Sequence, residues 1–324
     1  MDNGTLLEVR NLKKYFPVRR GVFKKPALAL KAVDGVDLVV NKGETVGLVG
    51  ESGCGKTTLG RCVLRLEEPT DGSVMFGGQD ILSLNREALR SVRRDMQIVF
   101  QDPYSSLDPR KTVRQIIAEG FRTHRMFSPD ERAERVVEIM RVVGLLPEQA
   151  ERYPHEFSGG QRQRIGLARA LVLRPKLIIA DEPVSSLDVS IQAQILNLLI
   201  DLQRDFDLTY VFISHDLRVV RHISDRVAVM YLGRIVEMAP SERLFERALH
   251  PYTEALISAV PNPNPEVRRK RILLEGDIPS PIDPPANCAF HPRCPFRQDI
   301  CTQKVPVLEE VEANHQVACF FPRF

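Results

Sequence analysis

The stretch Gly50-Glu51-Ser52-Gly53-Cys54-Gly55-Lys56-Thr57 constrains this chain more than any other. It follows directly on the apolar run Thr45–Val49, which reads as a buried strand, and it opens residues 57–66, whose apolar spacing is helical. Strand, glycine-rich turn and helix in that order make a phosphate cradle. The glycines let successive backbone N–H groups converge, and the helix N-terminus adds positive potential. Lys56 is then expected to reach the β- and γ-phosphates of a nucleoside triphosphate, with the Thr57 hydroxyl on Mg²⁺. A chain built round such a turn is expected to be an α/β protein with a mainly parallel sheet.

A second strand, Leu177-Ile178-Ile179-Ala180-Asp181-Glu182, ends in two carboxylates. Asp181 is expected to hold the Mg²⁺ through its water shell, and Glu182 to polarise an attacking water. The pair gains weight because strand ends at the carboxyl edge of such a sheet are where ligands bind. A helix over 191–202 and a strand over 210–213 continue the βα alternation. Earlier, 6–12 and 33–40 read as paired strands, joined by a basic loop over 17–31. Residues 110–143 turn helical, with Val136, Ile139, Met140 and Val143 on one face and Gly144 as the stop signal.

Between the glycine turn and the acidic strand lies Phe157-Ser158-Gly159-Gly160-Gln161-Arg162-Gln163-Arg164, followed by apolar residues at helical spacing. This resembles the signature sequence of the ATP-binding cassette (ABC) ATPases, with Phe157 where Leu is commoner. Gln101, in Val99-Phe100-Gln101-Asp102-Pro103, resembles that family's Q-loop. Ser185-Ser186-Leu187-Asp188 resembles the D-loop, and His215, in Ile213-Ser214-His215-Asp216, the switch histidine. Tyr15 resembles the aromatic that stacks on adenine, with Phe16 as its competitor.

The resemblance implies that ATP is contacted by Tyr15 and by Gly50, Glu51, Ser52, Gly53, Cys54, Gly55, Lys56, Thr57 and Thr58. It implies catalysis by Glu182, His215, Gln101 and Lys56, and Mg²⁺ on Thr57, Gln101 and Asp181. Ser158, Gly159 and Gly160 precede a helix and so form a second anion-binding terminus. Together with Gln161 they would, by the same resemblance, meet ATP held on the phosphate loop of a second copy, while Asp188 would be the D-loop aspartate. ATP would then close a head-to-tail dimer.

Composition changes towards the C-terminus. Twelve of the 23 prolines lie from Pro251 onward, and a basic run at 268–271 follows Pro261, Pro263 and Pro265. Of six cysteines, Cys54 and Cys62 lie early, while Cys288, Cys294, Cys301 and Cys319 crowd the tail. Cys54 and Cys62 read as packing thiols. The tail spacing, C-x5-C-x6-C-x17-C, lacks the tight knuckle usual in zinc sites, so an iron–sulfur cluster suits it as well or better, with zinc or unligated thiols as alternatives. The tail also resembles the C-terminal extension of oligopeptide/dipeptide importer ATPases, some of which carry a four-iron four-sulfur (4Fe-4S) cluster.

The expected organisation is a nucleotide-binding domain over 1–248, with an antiparallel β subdomain and a helical subdomain at about 102–172, then a cysteine-containing extension over 249–324. Lys+Arg 45 against Asp+Glu 42 leaves a net charge of +3, which argues against a nucleic-acid partner. The first residues carry charge and no apolar core, so no secretory signal is expected, and no apolar run approaches the ~20 residues of a membrane span. The importer resemblance implies an ATPase at the cytoplasmic face of the cell membrane. Its expected partners are a second ATPase subunit, two membrane permeases and, through the complex, an extracytoplasmic solute-binding protein. The basic loop resembles that of the second, F-type subunit of such a pair, with a homodimer still open. Di- and oligopeptides are the expected cargo, with nickel, metal chelates or another small solute as the alternative. A soluble ABC ATPase acting on DNA or ribosomes would show a long coiled coil, a second cassette or a basic face. A redox sensor using ATP as a ligand would make the cysteines primary.

Overall fold

A computed structural model describes residues 4–18, 28–260 and 272–323. Most of the basic loop over 17–31 and the basic run at 268–271 therefore lie outside the described residues. The chain divides into two compact units, one made of the N-terminal residues through Thr5 with Val40–Glu44 and Ser83–Ile213, the other of Leu6–Val39, Thr45–Leu82 and Ser214–Phe324.

In the first unit the strands Met96–Val99, Leu177–Asp181 and Thr209–Ile213 run parallel, with Met96 opposite Leu177 and Asp181 opposite Ile213. The second and third are buried throughout, which is why they read as unbroken apolar runs. The helices Gly159–Leu171 and Val189–Phe206 pack together so closely that a β-carbon on Gly160 would stand 2.4 Å from Cγ2 of Ile191. The helical stretch expected over 110–143 is three helices, Val113–Ile117, Glu119–Thr123 and Pro129–Val142. Thr112 with Gln115 and Ser128 with Glu131 form capping boxes that start the first and third. Gly144 closes the last of them in the left-handed region.

The second unit holds an antiparallel sheet in which Leu28–Asn41, Thr5–Val18, Asp71–Phe76 and Gln79–Asp80 lie side by side. It also holds the strand Thr45–Val49, parallel to Arg226–Tyr231 with Val46 opposite Arg226. Arg226–Tyr231 turns back into Arg234–Pro240 through Leu232 and Gly233, both with positive φ, the twist a two-residue hairpin favours.

The tail continues this sheet. His315–Val317 pairs antiparallel with Arg234–Pro240, and Glu309–Glu312 pairs in turn with His315–Val317. The join is fixed by a fully buried carboxylate. Glu237 accepts from the backbone N–H of Leu249 (2.7 Å) and of His250 (3.0 Å) and pairs with Nε2 of His315 at 2.7 Å. A buried charge needs this many partners. Burial holds the neighbouring His250 imidazole down to a pKa of about 4, so its Nδ1 is free to accept from Tyr252 N and cap the helix Pro251–Ser258.

Candidate functional site

In the second unit, the phosphate loop leaves Thr45–Val49 and enters the helix Lys56–Val63. Two of its glycines are dictated by the backbone. A β-carbon on Gly50 (φ +150°) would stand 2.2 Å from the Met230 carbonyl oxygen, and one on Gly55 (φ +110°) 2.0 Å from that of Ala32. Lys56 is 5% exposed and donates to the carbonyls of Gly50 (2.8 Å) and Glu51 (3.0 Å), lying back along its own loop. Ser52 and Gly53 are exposed at the turn, and Thr57 and Thr58 are half-buried in the first helical turn. Cys54 is buried, its thiol pushed up by burial, and Cys62 behaves likewise, at about 11.

Tyr15 is held by its hydroxyl, which donates to Asp34, while Arg234 donates twice to the other Asp34 oxygen, at 2.7 and 3.0 Å. Burial, followed by the bond to Asp34, raises the Tyr15 phenol to about 12. Burial pushes the Asp34 carboxyl up, but the bonds from Tyr15 and Arg234 outweigh it and hold the carboxyl below its usual range. Phe16 instead lies under the Lys14 ammonium, 4.7 Å from its ring centre. His215 is exposed and follows Ser214, whose N–H reaches the Leu48 carbonyl in the phosphate-loop strand at 3.2 Å. Asp216 caps the helix after it.

In the first unit, Asp181 ends its strand 3% exposed, and the chain turns sharply at Glu182, a non-glycine residue at φ +46°. Nε2 of Gln101 donates to Oε2 of Glu182 at 2.9 Å, so the two motifs the sequence placed 81 residues apart meet. Ser158 caps Gly159–Leu171: its Oγ accepts from Gln161 N at 3.3 Å and the Gln161 side chain accepts from Ser158 N at 3.0 Å. Ser158 and Gly159 are exposed, leaving the helix tip open, whereas Phe157 is buried and fills a core position. Asp188 caps Val189–Phe206, accepting from Ser190 N and Ile191 N, and the bond from the Ser190 hydroxyl foremost holds its carboxyl down. It is thus a structural cap, whatever else it does.

Several residues round the phosphate loop carry no mark in the sequence. Arg293, between the tail cysteines, forms a two-pronged pair with Glu51 at 2.8 and 3.0 Å, and the Tyr252 hydroxyl accepts from Glu51 N at 2.9 Å. The tail cysteines themselves line one cavity, shared with Phe290, Phe296 and Phe321. Burial pushes the thiols of Cys288, Cys294 and Cys319 up, the last to about 11. Yet among the described residues no three of His, Cys, Asp or Glu are placed to hold a single metal ion, so a zinc ion finds no ready-made site there.

A buried lysine in a glycine cradle, an acid pair at a parallel strand end and an open serine-capped helix tip are the equipment of a nucleotide-hydrolysing cassette. Residues 33–185 match the family described as ABC transporter, and residues 236–301 match the oligopeptide/dipeptide transporter C-terminal region. The chain is 58% identical over 318 residues, 97% of each chain, to the oligopeptide transport ATP-binding protein AppF of Bacillus subtilis. It is 50% identical over 315 residues, again 97% of each, to the di/tripeptide transport ATP-binding protein DppF of Pseudomonas aeruginosa. Among solved structures it is similar to a dimeric ATP-binding cassette in a post-hydrolysis state bound to ADP and Pi, with a TM-score of 0.64, 28% identity, and coverage of 73% of this chain and 99% of that one. CbiO1 of Clostridium perfringens, part of the ABC transporter complex cbiONQ, gives the same TM-score at 27% identity, covering 75% of this chain and 91% of that one. The chain belongs to the ATP-binding proteins of ABC transporters and is an ATPase.

Proposed function

We propose that this chain is the ATP-hydrolysing subunit that powers import of di- and oligopeptides. The observation that carries the reading is similarity along the whole chain, tail included, to proteins named for oligopeptide and di/tripeptide transport. In this reading the nucleotide-binding domain spans 1–248 and the extension 249–324. Gly50, Glu51, Ser52, Gly53, Cys54, Gly55, Lys56, Thr57 and Thr58 cradle the phosphates of ATP, and Tyr15, pinned by Asp34, stacks on the adenine. Mg²⁺ would be held by Thr57, Gln101 and Asp181 and would neutralise phosphate charge. Glu182 takes a proton from the attacking water, Gln101 orients Glu182, and Lys56 and His215 stabilise the charge on the γ-phosphate.

Ser158, Gly159, Gly160 and Gln161 close on the ATP of a second ATPase subunit, so binding drives dimerisation and phosphate release reopens it. The pair docks on two permeases at the cytoplasmic face of the membrane, served by a solute-binding protein outside. Among the described residues no helix is long and apolar enough to cross a membrane, in keeping with a separate permease. The four tail cysteines line one cavity, and their spacing, without the tight knuckle usual for zinc, makes a four-iron four-sulfur cluster the favoured occupant, with zinc as the alternative.

Reconstituting the chain with its copurifying permeases in proteoliposomes tests the reading. ATP-dependent accumulation of a labelled dipeptide is expected. Accumulation of nickel or a metal chelate with no peptide uptake would replace the cargo assigned here.

A further inference from the structure

The phosphate loop carries an acid. A loop that must take a triphosphate gathers N–H dipoles and a lysine, and a free carboxylate at its second position works against all of them, because like charges repel across the low-dielectric loop. Glu51 is nevertheless there, 24% exposed at its side chain, and its charge is answered from 242 residues away. The Arg293 guanidinium, 8% exposed, places Nη1 2.8 Å from Oε2 and Nη2 3.0 Å from Oε1, the fork-to-fork geometry that holds a carboxylate most firmly.

The rest of Glu51 is fixed as well. Its N–H donates to the Tyr252 hydroxyl and its carbonyl accepts from Lys56 Nζ at 3.0 Å. Behind it the rings of Tyr231, Tyr252 and Phe290 pack against one another with centroids 4.7 to 5.5 Å apart. Phe290 and Arg293 both belong to the Cys288–Cys294 loop, and Arg293 N closes that loop's short turn onto the Phe290 carbonyl at 3.0 Å. The tail's cysteine loop and the second residue of the phosphate loop therefore form one packed cluster.

We infer that the tail supplies, through Arg293, the counter-charge that lets an acidic phosphate loop accept a nucleoside triphosphate, which makes Arg293 a positioning residue of the ATP site acting through Glu51. The inference rests on the proposed ATP role of the loop and goes beyond it: the cysteine loop becomes part of the nucleotide site's electrostatics. By linkage, nucleotide on the loop must also steady residues 288–294.

The test compares full-length wild type, Arg293→Met and the double variant Arg293→Met/Glu51→Gln, with affinities for a fluorescent ATP analogue, ADP and AMP at low and high salt. Arg293→Met is expected to weaken ATP by about tenfold, equivalent to about 1.4 kcal/mol, and AMP by much less, with the deficit shrinking at high salt. Removing the stranded carboxylate in the double variant is expected to restore most of the lost affinity, a rescue that a merely structural role for Arg293 does not produce. Unchanged ATP affinity in Arg293→Met, or a folded double variant as weak as the single one, would overturn the inference while wild-type binding upheld the ATPase reading. Failure of the wild type to bind ATP would refute both. Should Arg293→Met not fold, hydrogen exchange on the wild type decides: slower exchange at 288–294 with nucleotide bound supports the coupling, and equal exchange with and without nucleotide refutes it.

Discussion

Nε2 of Gln101 donates to Oε2 of Glu182 across 2.9 Å, and this bond aims a carboxylate that sits on a left-handed backbone turn. Positive φ at a glutamate is unfavourable, a strained conformation of the kind found at functional sites. Replacing Glu182 by Gln keeps the size and much of the hydrogen bonding but removes the base. ATP hydrolysis is expected to fall by about 10²–10⁴ in kcat while nucleotide affinity stays close to wild type. Gln101→Ala, which removes this bond but keeps the carboxylate, should cost about tenfold in kcat. Single-turnover hydrolysis and equilibrium binding measure both, and wild-type turnover by the Glu182 variant would end the assignment.

Ser158 has two jobs that can be separated. As the cap of Gly159–Leu171 it accepts from Gln161 N, so Ser158→Ala should lower stability by about 1 kcal/mol with or without nucleotide. As the exposed tip offered to a second subunit, it should matter only when ATP closes the pair. In a Glu182→Gln background, which retains ATP, size-exclusion chromatography is expected to show an ATP-dependent dimer that Ser158→Ala abolishes. An undiminished dimer would leave Ser158 a cap and nothing more.

Tyr15 and Phe16 are neighbours on one strand with different surroundings, and only Tyr15 is held by the Asp34–Arg234 pair. Tyr15→Ala is expected to weaken ATP by about tenfold, the scale of one base–aromatic stack, with Phe16→Ala far milder. The phenol adds a pH signature. An exposed tyrosine loses its proton near pH 10, whereas Tyr15 keeps its proton to about 12. Between those values the unfolded chain releases a proton that the folded chain retains, so the stability the bond supplies is whole below pH 10 and drains away as pH climbs to 12. Thermal melts over that window should fall less steeply for Tyr15→Phe than for wild type, and parallel curves would discount the bond.

What could be read in the sequence was contiguous chemistry. The phosphate loop, the acid pair and the serine-led helix tip each need a few residues in fixed order, and each stands where its string placed it. What escaped was paired at long range: Arg234 with Asp34 across 200 positions, Arg293 with Glu51 across 242. Nothing in the run His291-Pro-Arg293-Cys294 tells which acid its arginine meets. The tail strands were hidden for another reason. Glu309–Glu312 is mostly acidic and His315–Val317 is three residues long, so neither shows the alternation of a strand, and the sheet edge of Arg234–Pro240 imposes the pairing. Over 110–143 the signals were present but run together, since the capping boxes at Thr112 and Ser128 mark fresh helix starts and Arg125 and Phe127 turn the chain through positive φ between them.

The tail cysteines give the last prediction. Cys288 and Cys294 bound one loop, Cys301 lies in the short helical turn Asp299–Thr302 and Cys319 follows the last strand, yet all four line one cavity shared with the buried Phe290 and the exposed Phe296 and Phe321. A single ion would need three or four donors drawn within bonding distance of one point, and the described residues offer no such group. The cluster proposed for the tail would take one thiolate at each iron. Chain purified under anaerobic conditions is expected to be brown, with about four irons and four inorganic sulfides per copy. Cys301→Ser, which removes the most buried of the four tail thiols, should strip the iron and lower the melting temperature, because a bound cluster would tie the tail's loops together. Colourless, iron-free protein whose melting is indifferent to Cys301→Ser would reduce the four thiols to packing groups, and would leave the tail fastened by contacts such as the Arg293–Glu51 pair, the buried Glu237 and the strand pairing of His315–Val317.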